Sequence, residues 1–81
     1  MKYKFLLKRN IHMYCHLLMC TCGQNNYEAI CESAPTKEET IIFWPDDLGL
    51  PPDEKDAMIS DLIKWSENQG FKCIINQGKG R

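Results

Sequence analysis

Tyr3, Phe5 and Leu7 alternate with Lys2, Lys4 and Lys8. This period of two predicts a half-buried strand, after which Arg9-Asn10 offers a turn. Between Ile11 and Cys22 two periods coexist. As a strand, Ile11, Met13, Cys15, Leu17 and Met19 face inward while His12, Tyr14 and His16 face out. As a helix, Asn10 caps the start, Ile11, Tyr14, Cys15, Leu18, Met19 and Cys22 form a stripe, and Gly23 ends it. Composition favours the strand. Cys, His, Tyr, Thr and Ile are middling helix formers, and the stretch contains neither Ala nor Glu.

Gly23-Gln24-Asn25-Asn26 reads as a turn, because Gly and Asn tolerate positive φ. Tyr27, Ala29 and Cys31 then alternate with Glu28 and Glu32, which predicts a third strand broken by Ser33-Ala34-Pro35-Thr36. Thr40-Ile41-Ile42-Phe43-Trp44, β-branched and aromatic, predicts a fourth. A loop, Pro45–Leu50, leads to the strongest helical signal in the chain. Pro51-Pro52 suits a first turn, and Asp53, Glu54 and Asp56 suit the positive end of a helix dipole. Met58, Ile59, Leu62, Ile63 and Trp65 fall on one face about 160° wide at helical spacing. Gly70 can take the left-handed terminating position, with Phe71 folding back on Trp65. Phe71–Ile75 reads as a last strand.

The elements give an α+β fold, a small antiparallel sheet packed by one main helix in the order ββββαβ. The alternative, with 11–22 helical, is βαββαβ and ferredoxin-like. Eighty-one residues make one domain, assigned here to 1–76, with 77–81 a polar, glycine-rich flexible tail.

Charge changes the picture more than composition does. Residues 1–27 carry Lys2, Lys4, Lys8 and Arg9 and no acid, whereas 28–67 carry all eleven acids against Lys37, Lys55 and Lys64, a net of −8. Glu38 and Glu39 flank the fourth strand, Asp46 and Asp47 follow it, and Asp53, Glu54 and Asp56 open the helix. If strand end and helix start meet, these seven carboxylates share one rim around Trp44. Such an array would steer a basic protein partner, with Trp44 as an aromatic anchor.

Other chemistries fit less well. His12, Cys15, His16, Cys20, Cys22 and Cys31 crowd together, but no Cys-x-x-Cys pair is present, and Cys20-Thr21-Cys22 has strand spacing. No metal or cofactor is expected, and the cysteines are read as small buried hydrophobes. Cys15 and His16 are sequence neighbours, which on a strand point to opposite faces, and no catalytic or phosphate-binding motif occurs. An enzyme is not expected. Nucleic acid is a poor partner, because the alternation separates Tyr3 and Phe5 from the lysines. Lys8-Arg9 interrupts any leader-like apolar run, and no run approaches the ~18 residues needed to span a bilayer. A cytoplasmic protein is expected, without membrane contact.

Small size, absent catalytic motifs and localised acidity are together similar in kind to phage-encoded inhibitors of bacterial defence, including anti-CRISPR proteins. They are equally similar to immunity proteins and antitoxins that neutralise nuclease toxins. The resemblance implies a stoichiometric protein-binding inhibitor that meets a basic, nucleic-acid-handling target. A small zinc- or nucleic-acid-binding regulator is the alternative from another class.

Overall fold

Three long strands in succession open the fold. In the computed structural model, which describes residues 2–78 and Gly80, they are β1 (Lys4–His12), β2 (Cys15–Cys22) and β3 (Asn25–Ser33). β4 (Thr40–Phe43) follows, then 3-10 turns at Pro45–Leu48 and Pro52–Glu54, α1 (Lys55–Gln69) and β5 (Lys72–Ile75). The strands form one sheet in sequence order. β1–β2, β2–β3 and β3–β4 pair antiparallel, whereas β4 and β5 are parallel. That last junction follows from α1: a helix between two strands returns the chain to the end where it began. The ββββαβ order holds, with a mixed sheet in place of an antiparallel one. Residues 15–22 are strand, so the ferredoxin-like alternative does not apply.

The faces of β2 are the reverse of those the apolar count suggested. His16, Leu18 and Cys20 are buried against the helix side, while Cys15, Leu17 and Met19 lie on the outer face. The reason is register. Leu7 opposes Leu18 and Phe5 opposes Cys20, and directly opposed residues share a face. The first turn also moves. Arg9-Asn10 is not a turn but part of a bulge, and the chain reverses at Met13-Tyr14 instead. Between the Lys8–Leu17 and His12–Cys15 pairs, three β1 residues oppose the single residue His16. Asn10 takes φ 56° there, the left-handed region that Asn tolerates.

α1 covers the inner face. Met58, Leu62 and Ser66 are buried, and Ile59 and Trp65 are half-buried along one side. Ile63, at the margin of the predicted stripe, is exposed. Ser66 donates its hydroxyl to the Leu62 carbonyl at 2.9 Å, so a polar residue is accommodated at full burial. Gly70 ends the helix at φ 88°, its N–H reaching the Ser66 and Glu67 carbonyls. Trp65 then meets Phe71 edge-on at 5.6 Å and Phe5 at 5.5 Å. Tyr3, Leu18, Cys20, Cys31, Ile41 and Phe43 complete the core from the sheet. Among the described residues, no helix is long and apolar enough to cross a membrane.

Candidate functional site

The seven carboxylates do not form one rim. Glu38 and Glu39 precede β4 and Asp46 and Asp47 follow it, so the four strand residues hold the two pairs roughly 13 Å apart. At the near end Glu39 takes a bidentate contact from Arg9, at 2.7 and 3.0 Å. This tie between β1 and the approach to β4 holds the Glu39 carboxyl below its usual range, chiefly through the guanidinium hydrogen bonds. Glu38 pairs with Lys72 at 2.5 Å, and the same kind of contact lowers it too. Arg9 also lies 5.7 Å from the centre of the Phe71 ring. These two acids fasten strands to one another.

The other five gather where β4 ends and α1 begins. Asp46 pairs with Lys55 at 2.5 Å, joining the first 3-10 turn to the start of the helix. One oxygen of Glu54 accepts both the Tyr3 hydroxyl, at 2.9 Å, and Lys2 Nζ, at 3.1 Å. The Tyr3 hydrogen bond, then the Lys2 contact, hold the Glu54 carboxyl down. Burial, reinforced by Glu54, pushes the Tyr3 phenol up to about 12. Asp61 adds a second clip just ahead of β1, accepting the Tyr3 backbone N–H at 3.1 Å. Asp53 and Asp56 are exposed and join no ion pair among the described residues.

Trp44 is half-buried. The backbone of Gly80 lies against its indole so closely that a Cβ there would collide with the ring. Gly78 N–H donates to Asp46 at 3.0 Å and Gly80 N–H to Asp47 at 3.2 Å. The segment expected to be a flexible tail, 77–81, is thus docked at Gly78 and Gly80; Lys79 and Arg81 lie outside the described residues. Trp44, Asp46 and Asp47 thus meet Gly78 and Gly80, Asp46 is tied to the start of α1 beside Asp53, Glu54 and Asp56, and Glu38 and Glu39 lie at the other end of β4.

A histidine–serine pair, missed in the sequence pattern, lies inside the sheet. His16 is buried; its Nδ1 accepts the Asn10 N–H at 2.8 Å, and its Nε2 lies 2.6 Å from Ser33 Oγ. An amide donor at Nδ1 leaves the imidazole proton on Nε2, which donates to Ser33. A general base would need the opposite tautomer, with Nε2 open toward the hydroxyl. The pair therefore satisfies buried polar groups and is not arranged to activate a nucleophile. Burial, then the nearby Arg9 charge, lowers the His16 pKa.

The cysteines are dispersed rather than gathered. Cys20 and Cys31 are buried, and burial pushes their thiols up to about 11 and about 12. Cys15 lies on the outer face of β2. Among the described residues, no three His, Cys, Asp or Glu side chains converge as metal ligands. The β1–β2 hairpin tip, by contrast, exposes Met13 and Tyr14 at 73% each. Without Gly, Pro or Asn at the tip, its sequence gave no turn signal.

Comparison with known protein families, curated proteins and solved structures yields no match. Every role assigned to these residues therefore rests on their own geometry.

Proposed function

We propose that this protein is a small stoichiometric inhibitor that docks its 44–56 acidic surface onto the basic, nucleic-acid-handling surface of a target protein. The anti-defence activity of anti-CRISPR proteins is the activity class that this reading favours. One observation carries it: at the start of α1, Asp53 and Asp56 are exposed and join no ion pair among the described residues. Two exposed carboxylates presented together beside further acids add to a negative field of the kind that a phosphate-binding surface attracts. Asp53 and Asp56 also sit in a short 3-10 turn and the first helical turn, a rigid frame that limits the ordering cost of association.

The reading is tested by titrating the protein into a panel of RNA-guided nucleases and following cleavage of matched DNA. Cleavage by a susceptible nuclease is expected to stop near one equivalent. Added salt and the double reversal Asp53→Lys/Asp56→Lys are expected to restore it. Inhibition that survives the reversal would contradict the acidic surface, and a panel without any inhibition would contradict the anti-defence activity.

A further inference from the structure

The sheet face turned away from α1 has no covering element among the described residues, and its chemistry is ordered in columns. β1 presents Lys4 and Lys8, β2 presents Leu17 and Met19, and β3 presents Glu28 and Glu32. The register aligns them: Leu6 opposes Met19, which opposes Glu28, and Lys8 opposes Leu17, which opposes Ile30. Leu6 is 61% exposed, and Ile74, on the same face of β5, is 42% exposed. A basic column, an apolar column and an acidic column thus run side by side.

We propose that this face docks a second copy of the chain, sheet against sheet, about a two-fold axis parallel to β2. That axis is singled out by the columns. It stacks Leu17 and Met19 on their own counterparts and sets the Lys4–Lys8 column of each copy against the Glu28–Glu32 column of the other, staggered by one cross-strand pair, so that Lys8 falls between Glu28 and Glu32 and Lys4 beside Glu28. Both charge stripes are then matched at once, as a self-complementary two-fold contact requires. From strand spacing and rise, the three strands that this axis overlaps offer roughly 400 Å² per copy, or about 800 Å² for the pair, the size of a weak, concentration-dependent contact. Edge-to-edge pairing is the weaker route. The β1 edge carries lysines and the Asn10 bulge, both of which discourage strand addition, and β5 has only four residues. The acidic surface lies around the start of α1, so the two inferences stand independently.

The test is sedimentation velocity of the full chain under reducing conditions, at concentrations up to about 0.1 mM. The wild-type protein is expected to sediment as a dimer. Lys4→Glu/Lys8→Glu sets acid against acid and should raise the dimer dissociation constant by about tenfold or more. Adding Glu28→Lys/Glu32→Lys exchanges the two columns and should restore most of the loss. Asp53→Lys/Asp56→Lys should dimerise like wild type. Circular dichroism melts confirm that each variant is folded, and Leu17→Lys serves as a second disruption if the lysine reversal fails that check. A monomeric wild type, a dimer unaffected by the lysine reversal, or a four-residue exchange that restores nothing would each overturn the proposal.

Discussion

One imidazole satisfies a donor on β1 and an acceptor on β3. His16 on β2 takes the amide that the β1 bulge leaves without a ladder partner and gives its own proton to Ser33 on β3. Protonating Nδ1 would force out the Asn10 N–H and bury a charge near Arg9. Because the folded-state pKa lies below the unfolded value of 6.5, the His16 contribution to stability is complete above 6.5. It is lost as pH falls through the folded value. Denaturant titrations from about pH 7.5 to about pH 5 should show stability declining in the wild type and less so in His16→Leu. At the higher pH, His16→Leu should itself cost roughly 1–3 kcal/mol for each polar group it orphans. A flat wild-type profile would show that His16 titrates as it would in water. Glu38, Glu39 and Glu54 are shifted down, so their contributions are lost only below the ordinary carboxylate value of 4.5.

At the scale of elements, α1 is held by burial, and its cost of disruption follows from that. Leu62 is fully buried against the sheet, so Leu62→Ala should lose about 2–5 kcal/mol in a denaturant titration. A loss under about half a kcal/mol would mean that the helix packs elsewhere. α1 is legible from sequence because its proline start, apolar stripe and Gly70 stop are all local signals. β2 is not, since both of its faces are apolar and counting hydrophobic residues cannot choose between them. The choice is made by β1, whose lysines fix Tyr3, Phe5 and Leu7 inward. In an antiparallel pair joined by an even-numbered turn, odd inward positions on one strand meet even ones on the next. His16, Leu18 and Cys20 must then face the helix. The Asn10 signal was real but local. The residue does adopt positive φ, in a bulge instead of a turn. The parallel β4–β5 junction was implicit in placing one helix between two neighbouring strands.

Over the whole molecule, segregated charge was visible in the sequence, but the pairing of those charges was not. Glu38 and Glu39 are near Asp46 and Asp47 in number yet sit beyond the opposite end of β4, where Lys72 and Arg9 meet them. Lys2 comes from the far end of the chain to Glu54, a contact that only the sheet order creates. The proposed partner surface is the one at the start of α1. The most direct measurement of that claim is the association rate with an inhibited nuclease, by surface-binding kinetics at low and high salt. Asp53 and Asp56 are the positions to reverse, because neither joins an ion pair among the described residues. Lys37 and Lys64, both exposed, provide the matched control. The account predicts that Asp53→Lys/Asp56→Lys slows association about tenfold or more at low salt, with the difference shrinking as salt screens it. Lys37→Glu/Lys64→Glu should associate at the wild-type rate or slightly faster. Equal rates for wild type and the aspartate reversal would contradict the account.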